Sequence, residues 1–368
     1  MKKSEFRKKL KEKGISRRDF LKFCSIMAGT LALDVTFAPK IAHALETKKR
    51  PPVIWLEFQD CAGCSESFLR ATRPPVEEIV LDILSVDYHE TLMAASGYLA
   101  EEAKEKTLKA GKYILVVEGS IPTADNGVYC TIGGKTALQS LHEAAKNAIA
   151  IIAVGNCAAF GGLPKAQPNP TKAVGVMDII KDKPIINLPG CPVNVVNITA
   201  TIVHYLTFKK LPKVDKLKRP LFAYGFRIHD NCERRAHFDA GEFVKEWGDE
   251  GHRKGWCLYK MGCKGPMTFA NCPRVRWNDG TSWPVASGHG CLGCTEPDFW
   301  EVGAYNRVDI PEFIPPTSYP DAIKPKKELP SSTNAVLGGI IGAAVGGAVA
   351  VGLTKTGEKL KTKEKEED

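Results

Sequence analysis

The sequence predicts an α/β fold, an open parallel sheet wrapped by helices, followed by a segment held together by metal rather than by a regular core. Two observations carry this reading. Short apolar runs alternate with helix-like stretches between residues 53 and 208, the pattern of strands buried on both faces and joined by helical crossovers. Beyond that the hydrophobic period is lost, and residues 229–294 carry six cysteines with a histidine spaced beside them. A stretch with so little periodic core needs another scaffold, and soft or borderline metal ligands supply one.

Taken in order, the chain opens on a lysine-rich head over residues 1–15, then Ser16-Arg17-Arg18-Asp19-Phe20-Leu21-Lys22, an apolar stretch to Ala38, and Ala42-His43-Ala44. A basic segment, an apolar segment and a small-x-small site predict a cleaved signal peptide over residues 1–44. Its paired arginines resemble a twin-arginine leader. That route exports folded proteins, so the leader predicts a cofactor inserted before export. Strand-like runs follow at residues 53–58, 79–89, 113–118, 150–154 and 184–188, with helix-like segments at 65–71, 92–110, 135–147 and 193–208. No internal repeat is present.

Charge excludes one class of partner. The net charge is +9, but residues 1–44 hold 11 Lys/Arg against 4 Asp/Glu, leaving 40 against 38 for the rest. A near-neutral body lacks the basic face that nucleic acid requires, so no nucleic acid is expected as a partner.

The cysteines fall at telling places. Cys61 and Cys64 follow the first strand, Cys157 follows the run at 150–154, and Cys191 follows the run at 184–188. Strand carboxyl ends of an open α/β sheet converge on one crevice, so four thiols distant in sequence can meet there. A 4Fe-4S cluster, a zinc site, structural disulfides and a thioredoxin-like pair at Cys61 and Cys64 all remain possible uses of such a set. The pair alone would leave Cys157 and Cys191 unexplained. Of twelve cysteines, Cys24 lies in the leader and Cys130 in a turn-rich stretch. The other ten divide into four at the sheet, three with His229, and three more. That last trio fits a 3Fe-4S cluster, which lacks one iron, better than zinc or 4Fe-4S sites, which want four ligands.

The leader, Cys61-Ala-Gly-Cys64-Ser-Glu-Ser, Glu118-Gly-Ser-Ile-Pro, Gly155-Asn-Cys157-Ala-Ala-Phe-Gly-Gly162 and Leu188-Pro-Gly-Cys-Pro192 resemble the small subunit of a membrane-bound nickel-iron uptake hydrogenase. So do the motifs that start at Ile228, Gly262 and Trp283, and the match runs in order along essentially the whole chain. The resemblance implies that Cys61, Cys64, Cys157 and Cys191 hold a proximal 4Fe-4S cluster. His229, Cys232, Cys257 and Cys263 would hold a distal 4Fe-4S cluster. Cys272, Cys291 and Cys294 would hold a medial 3Fe-4S cluster, with Pro284 at its vacant corner. It implies no catalytic residue in this chain, since hydrogen is cleaved at nickel and iron in a large subunit. Electrons would pass through the three clusters to a membrane cytochrome b or another quinone-linked acceptor and the quinone pool. Oxygen-tolerant relatives have extra cysteines where this chain has Gly63 and Gly162, so an oxygen-sensitive proximal cluster is expected. Asp60 stands where relatives often have glutamate.

Residues 335–353 are nineteen uncharged Ala, Val, Gly, Ile and Leu residues. At 1.5 Å each they reach about 28 Å, close to the ~30 Å apolar core of a bilayer. The expected organisation is a twin-arginine signal peptide (1–44), a flavodoxin-like α/β domain with the proximal cluster (45–212) and an irregular domain with the distal and medial clusters (213–320). A linker (321–334), a transmembrane helix (335–353) and a charged cytoplasmic tail (354–368) complete it, with the body on the periplasmic side. Two rival functions are an exported zinc or disulfide scaffold and a cluster-bearing part of a quinone reductase.

Overall fold

The computed structural model describes residues 16–47, 50–72 and 84–301. The segments expected at 1–15, 321–334, 335–353 and 354–368 lie outside them. Among the described residues no helix is long and apolar enough to cross a membrane.

Five parallel strands form the sheet: β1 (Pro52–Glu57), β2 (Ser85–His89), β3 (Tyr113–Glu118), β4 (Ala148–Val154) and β5 (Ile185–Leu188), in spatial order β2-β1-β3-β4-β5. This is the flavodoxin strand order, with its switch point between β1 and β3. β3 is buried at all six positions and β5 at all four, as expected of strands covered on both faces. Register then fixes the geometry that matters. Glu57 lies opposite Glu118, Glu118 opposite Val154, and Val154 opposite Leu188. Four strands therefore end in one row, and the segments bearing Cys61, Cys157 and Cys191 leave from it.

The helices follow their end signals. α1 (Arg17–Thr30) is capped by Ser16, whose hydroxyl accepts from the Asp19 amide, and α2 (Ala38–Thr47) follows a short 3-10 turn. α3 (Gly63–Leu69) starts inside the Cys61–Cys64 pair. α4 (Gly97–Ala110) begins later than its apolar pattern suggests, because residues 90–96 first turn away from β2. α5 (Ala137–Lys146) is opened by a capping box between Thr136 and Gln139, which satisfies two otherwise orphaned amides. The two residues before it pair in a short hairpin with Thr131 and Ile132 rather than joining the helix. α6 (Gly155–Phe160) starts directly after the last residue of β4, and α7 (Val195–Phe208) is capped by the Asn194 side chain.

Beyond α7 the described chain has only short helical turns and isolated bridges. It is tied to the sheet part by buried polar contacts: Asn187 of β5 donates its amide side chain to the Leu217 carbonyl at 2.9 Å, and the Asn271 side chain donates to that of Asn197 on α7 at 2.8 Å. Within the segment Arg219 pairs with Asp215 and Glu296 at 2.8 and 2.9 Å. One apolar cluster runs through both parts, from Val53 and Ile114 to Trp283 and Val285.

Candidate iron-sulfur sites

The row of strand ends brings Cys61, Cys64, Cys157 and Cys191 together. Cys64 sits in the first turn of α3 and Cys157 in that of α6. Burial pushes the Cys64 thiol well up, and the nearby Cys157 and Cys191 thiols add to it. Burial, with Cys191 and Cys61 beside it, pushes Cys157 up to about 12. A thioredoxin-like use needs only Cys61 and Cys64 and leaves Cys157 and Cys191, gathered beside them, without a role. All twelve cysteines are free thiols, so no disulfide claims any of them. The backbone leaves room for a bulky group. Gly155 (φ +81°) and Gly162 (φ +58°) lie where a Cβ would run into Cys64 Sγ and Cys157 Sγ respectively, so side chains there would fill the space beside the thiols.

The second set meets as well. His229, Cys232, Cys257 and Cys263 line one small pocket. His229 is buried and packs edge-on against Phe238, ring centroids 4.5 Å apart. Burial first, and the Arg235 charge second, lower its pKa to about 4; a neutral imidazole is the form that ligates metal. The other histidines of this region are otherwise engaged: His237 with Glu242 at 2.6 Å, and His252 with the Gly288 carbonyl at 3.3 Å.

Cys272, Cys291 and Cys294 form the third set, all three thiols raised by burial and close enough to act on one another. They line a cavity of about 910 Å³ that also reaches Cys191 and Pro284. Trp283 lines it too, and its buried indole N–H has no hydrogen-bond partner. An orphaned donor costs about 1–3 kcal/mol, and an inorganic sulfide in the cavity is an acceptor that would relieve it. Donor sets, glycine cradles and this orphaned donor fit iron-sulfur clusters.

The three sets touch in series. Cys191 and Cys294 line the same cavity, and the Asn156 side chain donates to the Cys294 carbonyl at 2.9 Å. At the other side the Cys291 amide donates to Cys263 Sγ at 3.2 Å. The trio thus lies between the sheet set and the His229 set.

Sequence reasoning singles out Asp60 and has Glu118 within a motif, but misses Glu57 and the gathering of the three. Glu57, Asp60 and Glu118 bring their carboxylates within 4.8 Å of one another beside Cys64. Glu118 accepts from the Cys64 amide at 2.9 Å, the Ser65 amide at 3.2 Å and the Trp55 indole at 3.2 Å. The Ser65 hydroxyl stands 2.7 Å from Glu118 and 2.8 Å from Glu57, and donates to one at a time. Burial and then the Glu118 charge push Asp60 up to about 6; burial and then Glu57 push Glu90 up to about 7. A signal existed: glutamates at the ends of two apolar strands are costly unless their hydrogen bonds are met.

Glu90 gives a pH dependence. Its folded pKa lies above the ordinary carboxylate value, so the folded state holds the extra proton and stability falls as pH rises from about 4.5 to about 7. Glu90→Gln is expected to flatten that part of the profile, with a melting temperature about 2–4 °C above wild type at the alkaline end. Parallel melting curves across that range check it, and equal slopes would contradict it.

Comparisons with known proteins show the family. A family model described as the C-terminal part of the NiFe/NiFeSe hydrogenase small subunit matches residues 224–305, and one described as NADH ubiquinone oxidoreductase, 20 Kd subunit, matches residues 61–205. The chain is 52% identical over 308 residues to the uptake hydrogenase small subunit of Azotobacter vinelandii, covering 83% of this chain and 86% of that one. It is 51% identical over 297 residues to the quinone-reactive Ni/Fe-hydrogenase small chain of Wolinella succinogenes, covering 80% and 84%. The reduced, active Ni-Fe-Se hydrogenase of Desulfomicrobium baculatum superposes with a TM-score of 0.67 at 35% identity, over 71% of this chain and all of that one. The chain belongs to the small subunits of the nickel-iron hydrogenases, iron-sulfur electron-transfer chains paired with the large subunit that carries the catalytic site.

Proposed function

We propose that electrons pass along this protein from the large subunit, where hydrogen is split into two protons and two electrons, through three clusters to an acceptor in the membrane. Cys61, Cys64, Cys157 and Cys191 hold the proximal 4Fe-4S cluster, Cys272, Cys291 and Cys294 the medial 3Fe-4S cluster, and His229, Cys232, Cys257 and Cys263 the distal 4Fe-4S cluster. The observation that carries this is the order of neighbouring donors: Cys191 lines one cavity with Cys272, Cys291 and Cys294, and the Cys291 amide donates to Cys263 Sγ, which sets the donor sets in a line. When bound, the clusters supply one-electron carriers whose potentials depend on ligands, hydrogen bonds and exposure. The protein's own residues hold them apart and shield them. The Cys291 and Gly293 amides donate to Cys263 and Cys291 sulfurs at 3.2 and 3.4 Å, bonds that stabilise negative charge on sulfur and favour the reduced form.

The paired arginines, the apolar segment at 335–353 and the quinone-reactive name of the Wolinella relative support a periplasm-facing body. In this reading the twin-arginine pathway exports it, the C-terminal helix anchors it in the bilayer, and a cytochrome b or another quinone-linked protein accepts the electrons.

The test is iron, sulfide and zinc content of the anaerobically purified complex, with an electron paramagnetic resonance spectrum of the oxidised sample. About eleven cluster irons in this protein, by the donor sets, and an oxidised three-iron signal are expected. Zinc in place of iron would favour the scaffold reading, and a single four-iron cluster the reductase reading.

A further inference from the structure

We infer that residues 17–47 form an intramolecular latch that keeps the leader's own cleavage site folded away until the latch opens; this rests on the leader reading of residues 1–44. α1 and α2 pack as a helical pair on α7. Phe20, Phe23, Cys24 and Met27 from α1, with Ile41 and Leu45 from α2, are buried in the same apolar cluster as Ile198, Ile202 and Leu206 of α7. The contact is specific as well as apolar. The Phe37 and Phe208 rings stand 6.1 Å apart, and the Lys40 ammonium lies 5.0 Å from the Phe208 ring centre. Met27 and Thr30 also line the cavity that holds Cys191, Cys272 and Cys294.

The placement of Ala42-His43-Ala44 is the consequential part. The whole tripeptide lies within α2, and Ala42 and Ala44 are only 7% and 3% exposed. A peptidase that reads small side chains needs them accessible, on an extended strand whose backbone groups it can bond. A helix has already bonded those groups to itself, and here Ala42 packs in the cluster shared with α7 while Ala44 is buried as well. Cleavage must therefore wait for α2 to leave α7 and unwind. The latch couples processing to a release event, for which insertion of the apolar leader into a membrane supplies the competing apolar surface.

The experiment uses the full-length precursor, retained in the cytoplasm by blocking translocation, and its double variant Met27→Asp with Ile41→Asp. Both substitutions lie in the leader, so the mature body keeps its sequence. Elastase, which cuts after small residues, is added briefly, and scission after Ala42 or Ala44 is followed by intact mass. Amide hydrogen exchange of α1, α2 and α7 is recorded in parallel. The expected result is slow exchange in all three wild-type helices and about tenfold or faster scission in the variant, with loss of protection in α7. Equal scission rates, or wild-type α1 and α2 exchanging as unstructured peptide, overturn the latch. The leader reading is judged separately, by the N-terminus of the exported protein. A start at Leu45 supports it. Retention of residues 17–44 overturns both the leader reading and the latch's purpose, even where exchange shows the helices docked.

Discussion

Replacing Cys294 with alanine is expected to lower hydrogen-dependent reduction of a quinone analogue at least ~100-fold, the upper range for disturbing a metal's supporting groups, while the fold survives. Cys294 is the residue through which the medial set meets the sheet set, beside Cys191. Its structural duty is carried by the backbone, whose carbonyl accepts from Asn156 at 2.9 Å, and alanine keeps that carbonyl. What alanine removes is the thiol alone. The oxidised three-iron signal should vanish with the activity, and the melting temperature of the assembled complex should move far less. Cys130→Ala is the comparison. That half-buried thiol packs against the apolar cluster on the other face of the sheet, which includes Leu115 and Leu141, and burial pushes it up to about 11, so the loss of activity should stay within about twofold. A Cys294→Ala complex that still reduces the quinone analogue at half the native rate would remove this residue from the electron path.

The second large effect falls on stability. Glu118→Ala is expected to destabilise the protein by roughly 3–9 kcal/mol, because it strands the Cys64 and Ser65 amides and the Trp55 indole at about 1–3 kcal/mol each. Glu118 is 2% exposed and accepts at 2.9, 3.2 and 3.2 Å from these donors, so water cannot readily replace it. A domain stability of about 5–15 kcal/mol leaves little margin after such a loss. Glu118→Gln keeps one acceptor oxygen and should fall between wild type and alanine. Thermal melting of the three proteins under argon gives the order; an alanine variant melting with the wild type would show that the carboxylate does not organise the first turn of α3.

The strands are legible because both faces are buried and their apolar runs are unbroken. The run at 113–118 is β3 to the residue, and 184–188 differs from β5 by one. The helix expected over 92–110 is too long because its apolar spacing continues through a turn; Ser96 and Gly97 mark where the backbone becomes helical. The cysteine sets are legible through position: thiols placed just past strand ends must converge once register is set, and register follows from the buried faces. His229 is separable from its neighbours only by its spacing to Cys232. Glu57 and Glu118 carry only a partial signal: their place at the ends of apolar strands says that their hydrogen bonds must be met, not which donors meet them. Nor does a leader pattern reveal docking, because the apolar residues that suit a membrane also suit the groove of α7.

Gly63 and Gly162, the two positions where oxygen-tolerant relatives have cysteines, are unequal as starting points for change. A Cβ at Gly63 would stand 3.1 Å from Cys61 Sγ, a contact only a few tenths of an ångström too tight, on a backbone outside the left-handed region. At Gly162 it would stand 2.6 Å from the Cys157 Cα, on a backbone at φ +58° and ψ −157° that only glycine adopts readily. One position accepts a new thiol by a single substitution; the other first requires the loop after α6 to be rebuilt. A lineage acquiring both would therefore pass through position 63 first, with the route to 162 opened by neighbouring changes in the loop rather than by the cysteine itself.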